Sequence, residues 1–206
     1  QESLGGINIG WFEGFDYVYE KEFSVPQEYE DFRVVFEFEG VYRNAEVYLN
    51  GKRAGFRPYG YTNFYVEANE FLHFGMKNQI QVIAHNADQP NSRWYSGAGI
   101  YRPVSLYILP KKHIAVNGVK ISTVKICPAV IDVKVETSAP GELELEIFEG
   151  ESLVSGQEPV ASVKKSADGN FQMQLEIPDA KLWSTEFPFL YTCRVRFEED
   201  EAEEIF

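Results

Sequence analysis

The residues best suited to recognising a ligand lie in one short stretch, Asn91-Ser-Arg-Trp-Tyr. A ligand rich in hydroxyls is recognised by amide or guanidinium groups that pair with those hydroxyls and by an aromatic ring that covers its apolar face. Asn91, Arg93 and Trp94 supply these groups, and Pro90 and nearby glycines predict an irregular loop. We take these three as the candidate substrate-binding residues. The structural alternative is that Asn91 caps a turn and Trp94 packs at the domain edge, and for Arg93 and Trp94 the structural role is favoured.

A second aromatic and polar cluster lies at residues 56–64, FRPYGYTNF. On a stand-alone carbohydrate-binding module, Tyr59 and Tyr61 would be stacking platforms for sugar rings. The alternative is that they build the domain itself, and this structural role is what the family resemblance described below implies.

No catalytic residue, metal ligand or cofactor is predicted. Glu142, Glu144 and Glu146 alternate with apolar residues and therefore belong to the solvent-facing side of a strand. The three histidines are dispersed, and neither a His-x-x-x-His nor a Cys-x-x-Cys spacing occurs. The two cysteines, Cys127 and Cys193, are expected to be reduced, although a bridge between them is an open alternative.

Period-two alternation of apolar residues dominates the chain and predicts β-strands. Turn signals separate these runs, among them Asn50-Gly51, Glu149-Gly150 and Asp168-Gly169. We therefore predict an all-β protein of two sandwiches. The alternating core positions are Ile131, Val133, Val135; Leu143, Leu145, Ile147; Phe171, Met173, Leu175, Ile177; and Tyr191, Cys193, Val195, Phe197.

Length and charge limit the partners. The 206 residues suffice for two domains, and a boundary near Pro110 gives domains 1–110 and 111–206. The net charge of -13 would repel phosphate backbones and anionic lipids, so we predict neither a nucleic-acid nor a membrane partner. The acid-rich stretch 198–204 is read as a solvated hairpin turn or frayed end rather than a docking tail.

Three segments resemble glycoside hydrolase family 2. The second of them most resembles the family's β-galactosidases, although its β-glucuronidases and β-mannosidases share the architecture. The three segments are residues 38–55, FEGVYRNAEVYLNGKRAG, followed by 59–64, YGYTNF; residues 91–104, NSRWYSGAGIYRPV; and residues 181–191, KLWSTEFPFLY. Their order and spacing match the family over essentially the whole chain.

The resemblance implies a galactose-binding-like jelly-roll domain, shortened at its start, and then an immunoglobulin-like sandwich that lacks its last strand. In the family a TIM barrel follows and holds both catalytic carboxylates, so none is carried over to this chain. The position matching Asn91 contacts the non-reducing sugar, which makes Asn91 a substrate contact in the full enzyme. Arg102 is expected in a buried or half-buried ion pair, and Trp183 in the core of the second sandwich.

The implied partners are a β-galactoside-like carbohydrate and the catalytic barrel of the same parent chain, with homo-oligomers left open. Two other classes remain: a stand-alone carbohydrate-binding module, which would bind sugar by itself, and a structural adhesion-like pair of sandwiches, which would bind protein. The compartment is open, with a periplasmic or secreted location slightly favoured over a cytoplasmic one.

Overall fold

The computed structural model describes residues 15–87 and 98–206, and the chain divides into two compact units, Gln1–Ile108 and Leu109–Phe206. Both units are β-sandwiches, which confirms the all-β class. Helical structure in the described part is limited to two short 3-10 turns, Gln27–Tyr29 and Asn69–Phe71. None of the helices in this part has the length and apolarity needed to span a bilayer.

The first unit is a jelly roll whose strands form three antiparallel sheets. The strands are β1 (Tyr17–Ser24), β2 (Arg33–Phe38), β3 (Val41–Tyr42), β4 (Ala45–Leu49), β5 (Lys52–Arg57), β6 (Phe64–Glu67), β7 (Lys77–Ala84), β8 (Gly99–Ile100) and β9 (Val104–Leu109). The sheet orders are β1-β7-β4-β5, β6-β2-β9 and β3-β8. Apolar side chains from the three sheets form one core, in which the rings of Phe38 and Phe64 stack 4.8 Å apart.

The Asn50-Gly51 turn joins β4 to β5 as the sequence predicts. Leu49 pairs with Lys52 across the two-residue loop, and φ is 49° at Asn50 and 77° at Gly51. Positive φ at both loop residues is typical of a type I′ hairpin, which asparagine and glycine adopt most easily. The Asn50 side chain also reaches across the unit, and its amide group donates to the Phe71 carbonyl and to Asn78 Oδ1.

The second unit is an immunoglobulin-like sandwich built on two long strands. Its strands are β10 (Ile114–Ile126), β11 (Ala129–Glu149), β12 (Ala161–Ile177), β13 (Tyr191–Phe197) and β14 (Asp200–Ile205). The first half of β11 pairs with β10 and the second half with β13, while β12 pairs with both halves. The acid-rich end of the chain contains the β13–β14 turn and then β14 itself, which pairs with β13.

The alternating patterns correctly predict which side chains fill this core. Leu143, Leu145 and Ile147 are fully buried, and all the other predicted core residues are buried except Met173, which is partly buried. The glutamates between them face outward and form cross-strand ion pairs. Glu146 Oε2 lies 2.8 Å from guanidinium nitrogens of both Arg194 and Arg196.

Two predictions about the second unit are wrong. Asp168-Gly169 is not a chain reversal, because it lies within β12, opposite a register shift between Glu136 and Pro140. The extra residues of this bulge, 137–139, lie on β11, and Gly169, with a φ of 78°, is the single β12 residue opposite them. Trp183 does not anchor the core, because its side chain lies on the surface of the segment before β13 and is 59% exposed.

Tyr191 fixes that segment. The Lys181 backbone N–H donates a hydrogen bond of 2.7 Å to the Tyr191 hydroxyl, as in the tyrosine corner of immunoglobulin domains.

Cys193, two residues after Tyr191, is a free thiol, as is the exposed Cys127, so the open alternative of a bridge is wrong. Burial raises the pKa of the Cys193 thiol to about 12.

Candidate functional site

The predicted substrate-binding residues Asn91, Arg93 and Trp94 lie outside the described residues. The structure does describe the chain on both sides of them, up to Ala87 and again from Ala98. These two flanks, which we call the entry stem (residues 85–87) and the exit stem (residues 98–100), fix where the intervening segment begins and ends. Their geometry is therefore what the structure contributes to the candidate site.

The entry stem follows β7 and is held by Asp16. Tyr17 in β1 pairs with Ala84 in β7, so Asp16 and His85 are the next residues outward in the same antiparallel register. Asp16 Oδ2 lies 2.9 Å from His85 Nδ1, and the Ala87 backbone N–H donates to Asp16 Oδ1 at 3.2 Å. One carboxylate therefore contacts both the first and the last residue of the entry stem.

His85 lies between two carboxylates. Its second ring nitrogen, Nε2, is 3.8 Å from Glu46 Oε2. The contact with Asp16 raises the pKa of His85, with a smaller contribution from Glu46, and the same contact lowers the pKa of Asp16. Because the two carboxylates lie on opposite ring nitrogens, the arrangement stabilises an imidazolium and does not form a metal site.

Glu46 has two further partners on the same sheet. The Tyr48 hydroxyl donates to Glu46 Oε2 at 2.7 Å, and Arg53 lies 3.1 Å from Glu46 Oε1. The hydrogen bond from Tyr48 is the main reason that the pKa of Glu46 is lowered. Within residues 15–87 and 98–206, His, Cys, Asp and Glu side chains form no group of three or more that is arranged to hold a metal ion.

The exit stem is held by Tyr19. The Ile100 backbone N–H donates to the Tyr19 hydroxyl at 3.3 Å, and a Cβ atom added at Gly99 would overlap that same hydroxyl. Gly99 also has a φ of 73°, a conformation that side chains other than glycine rarely adopt. Both stems are thus fixed by residues of the β1 region, Asp16 and Tyr19, which are three positions apart.

A cluster of tyrosines, which we call the tyrosine cluster, adjoins the exit stem in sequence and space. Tyr61 is its centre, with ring centroids at 5.2 Å from Tyr42, 5.8 Å from Tyr59 and 6.2 Å from Tyr101. The Tyr101 hydroxyl donates to the Gly60 carbonyl at 2.7 Å, which joins the 56–64 segment to the chain after the exit stem. Tyr59 is 58% and Tyr61 47% exposed, so both offer ring surface to a ligand.

Arg102 differs from its prediction. It is exposed rather than buried or half-buried, and its guanidinium lies 5.6 Å from the centre of the Tyr101 ring. A cation over an aromatic face gives modest stabilisation at such an exposed position. Arg102 therefore contributes to the tyrosine cluster rather than to the core.

A buried carboxylate elsewhere in the first unit is held by hydrogen bonds. Glu37 is 4% exposed and accepts hydrogen bonds of 2.9 Å each from Asn63 Nδ2, the Tyr65 hydroxyl and the Tyr107 hydroxyl. The contact with Glu37 is the main cause that raises the pKa of Tyr107 to about 12. A buried carboxylate that accepts from three donors is an acceptor in a structural hydrogen-bond network.

Sequence reasoning missed Asp16, Tyr19, His85 and Glu46. Asp16 and His85 are 69 residues apart, and no local spacing connects them. Only the register of β1 against β7 brings them together. The local indication that the sequence did offer was Gly99 itself, because a glycine after a loop often marks a backbone position with positive φ.

Comparisons with known proteins match both units to one family. Residues 13–110 match the model described as "Glycosyl hydrolases family 2, sugar binding domain", and residues 113–206 match "Glycosyl hydrolases family 2". A protein of Formosa agariphila with a beta-glucuronidase name is 34% identical over 91% of this chain and 18% of that protein. The beta-galactosidase BoGH2A of Bacteroides ovatus is 33% identical over 93% of this chain and 24% of that protein.

A solved structure has the same fold at similar coverage. The crystal structure of a beta-glycosidase from Bacteroides vulgatus matches with a TM-score of 0.79 and 27% identity, over 97% of this chain and 27% of that one. The chain thus spans about a fifth to a quarter of the length of the curated relatives described above.

Proposed function

Because the chain belongs to glycosyl hydrolase family 2, we propose that it is the non-catalytic N-terminal region of a β-galactosidase-like glycosidase. In this proposal a catalytic barrel in the same polypeptide cleaves the glycosidic bond. The present chain supports that barrel and extends the 88–97 segment toward the sugar. The main support for this proposal is that two family models match in succession over nearly the whole chain. The chain itself spans only part of the length of its relatives.

The two fixed stems support a role for the 88–97 segment in the substrate pocket. A binding group needs rigid supporting contacts if it is to meet a sugar hydroxyl at hydrogen-bond distance. Asp16 holds Ala87 and His85, and Tyr19 holds Ile100, so the segment starts and ends at defined points. We assign Asn91 the role of pairing with a hydroxyl of the non-reducing sugar. Arg93 and Trp94 would complete the contact.

The test uses the complete product of the gene that encodes this chain. Steady-state hydrolysis of 4-nitrophenyl β-D-galactopyranoside is measured for the natural protein and for Asn91→Ala. We expect kcat/KM to fall by roughly tenfold or more, because a lost hydrogen bond to a substrate hydroxyl costs about 1–3 kcal/mol. Unchanged kinetics in Asn91→Ala would overturn the site assignment. A gene product that ends at Phe206 would overturn the proposed function.

A β-glucuronidase is the second candidate, since the Formosa agariphila relative carries that name. Its substrate has a carboxylate, which a guanidinium such as that of Arg93 would bind. The same assay with 4-nitrophenyl β-D-glucuronide distinguishes the two. A higher kcat/KM for the glucuronide would assign a β-glucuronidase instead of a β-galactosidase. The proposed role as the non-catalytic N-terminal region of a family 2 glycosidase would stand.

The tyrosine cluster favours a third candidate, a carbohydrate-binding module that acts without a barrel. Its exposed Tyr59 and Tyr61 rings would stack on sugar rings. This candidate predicts saturable sugar binding by the chain alone, lost in Tyr59→Ala or Trp94→Ala.

A further inference from the structure

The exposed apolar residues before β13 form a surface that the fold of the second unit leaves uncovered. Leu182 is 51%, Trp183 59% and Phe187 55% exposed. These side chains, together with the groove lined by Ala129, Val130 and Phe206, are called the Trp183 surface. Exposed apolar groups that adjoin one another mark interaction sites in soluble proteins, whereas single exposed ones are ordinary.

The segment that carries this surface is held in one conformation. The Ser184 N–H donates to the Phe187 carbonyl at 2.9 Å, and the Phe187 N–H donates back to Ser184 Oγ at 3.0 Å. The Phe187 and Phe189 rings stack 5.7 Å apart with an interplanar angle of 8°. Tyr191 anchors the start of the segment through its bond from Lys181. A surface fixed in this way is prepared for binding, because little conformational entropy remains to be lost.

The size and charge of the groove indicate a protein partner. Its volume is about 120 Å³, whereas small-molecule sites measure roughly 300–1,000 Å³. It has room for an inserted side chain rather than for a sugar. Lys181 lies at its edge, where its ammonium pairs with Glu149 at 2.6 Å and lies 4.8 Å from the Phe189 ring centre. An apolar centre with charges at the edge is typical of protein interfaces.

The position of Phe206 decides between possible partners. Phe206 lines the groove together with Trp183, its ring stacks on Tyr191 at 5.9 Å, and its backbone exchanges two hydrogen bonds with Tyr191. Any residues joined after Phe206 would therefore begin beside the Trp183 surface. A domain connected by such a short path has a high effective concentration at this surface.

We propose that the Trp183 surface is the docking site of a further folded domain of the same polypeptide, joined after Phe206. This inference rests on the proposed function, because it requires a longer chain. The docked domain inserts an apolar side chain into the groove and covers Trp183 and Phe187. The second unit then acts as a support for that domain.

The test is hydroxyl-radical footprinting, read by mass spectrometry, of the 206-residue chain and of the complete gene product. We expect Trp183 and Phe187 to lose most of their oxidation in the complete product. Met76, which is 64% exposed and far from this surface in sequence, serves as the control and stays equally oxidised in both. Equal oxidation of Trp183 in a longer gene product would overturn this inference while the proposed function stands. A gene product without a further domain would overturn both.

A variant pair tests the energetic role of the surface. Trp183→Ser in the complete product should lower the midpoint of its urea unfolding, whereas Val154→Ser, at a position outside the surface that is 69% exposed against 59% for Trp183, should leave it unchanged. Both variants should leave the 206-residue chain folded, because neither side chain is buried. Equal midpoints for the two variants would contradict docking. Protection of Trp183 in the chain alone, rising with concentration, would instead assign the surface to a second copy.

Discussion

The Tyr19 hydroxyl occupies the space in which a side chain at Gly99 would begin. The same hydroxyl accepts the Ile100 N–H, so strand β1 holds the exit stem of the candidate sugar-contacting segment by both contact and hydrogen bond. Asp16, just before β1, holds the entry stem. The residues that fix the segment are therefore remote from it in sequence. The contribution of each can be tested by a separate substitution.

Gly99→Ala should destabilise the first unit strongly. Alanine at a positive φ costs about 1 kcal/mol, and overlap with the Tyr19 hydroxyl adds to that cost. The matched control is Gly51→Ala, since Gly51 has a similar φ of 77° but no atom within 4 Å of the added Cβ. Urea unfolding of the two variants isolates the contribution of the overlap. Equal losses of stability would show that Tyr19 does not restrict residue 99.

The Asp16–His85 pair should make the pKa of His85 depend on Asp16. We expect an NMR titration to place the pKa of His85 above its ordinary value of 6.5. Asp16→Asn should lower that pKa more than Glu46→Gln does, because Asp16 is 2.9 Å from the ring and Glu46 is 3.8 Å away. A larger effect of Glu46→Gln would contradict the assigned order of the two carboxylates.

The same pair sets a pH window for stability. The raised pKa of His85 gives stability that is complete below 6.5 and lost as pH rises through the folded-state value. The lowered pKa of Asp16 gives stability that is present above 3.8 and lost as pH falls through the folded-state value. The pair therefore contributes most between those two values. The contribution should stay below about 1 kcal/mol, because both side chains are largely solvated.

Tyr191→Phe should destabilise the second unit by about 1–3 kcal/mol, because the Lys181 N–H loses its acceptor in a partly buried setting. Tyr59→Phe is the matched control, since Tyr59 is exposed and its ring is retained. Guanidinium unfolding should show a lower midpoint for Tyr191→Phe and an unchanged midpoint for Tyr59→Phe. Similar unfolding midpoints for both variants would show that the tyrosine corner does not stabilise this unit.

The two thiols should differ in reactivity. Cys127 is exposed, whereas burial raises the pKa of Cys193 to about 12, and only the thiolate attacks an alkylating reagent. Iodoacetamide should modify Cys127 in the native chain and Cys193 only after unfolding, as mass spectrometry would show. Rapid double modification of the native chain would contradict the burial of Cys193.

Patterns local in sequence predicted most of the fold. Alternation identified the core of the second unit, because a strand with one buried face needs every second side chain to be apolar. The type I′ turn followed from Asn50-Gly51, since few residues adopt its dihedral angles. Asp168-Gly169 carries a similar turn signal, yet it continues β12 opposite a bulge in β11. Whether such a glycine ends a strand or continues it depends on the opposite strand, and the sequence of one segment does not specify that strand.

The candidate site was less predictable for the same reason. Asn91, Arg93 and Trp94 could be named from their side-chain chemistry, but the residues that hold their segment depend on the pairing of β1 with β7. Trp183 misled the sequence analysis because its size suggested burial. Aliphatic side chains together with Phe171, Tyr191 and Phe197 fill the core instead. A large aromatic residue left outside a complete core is informative, since its burial then requires a partner.

We propose above all that this chain takes part in sugar hydrolysis only together with a catalytic barrel and does not carry it out alone. Proton NMR of the purified 206-residue chain with lactose and a panel of β-glycosides tests it most directly. It detects cleavage through new anomeric signals and binding through saturation transfer. We predict no new anomeric signals and weak or absent saturation transfer, because under the proposed function the rest of the pocket belongs to a catalytic barrel outside these 206 residues. Hydrolysis by the purified chain would contradict it.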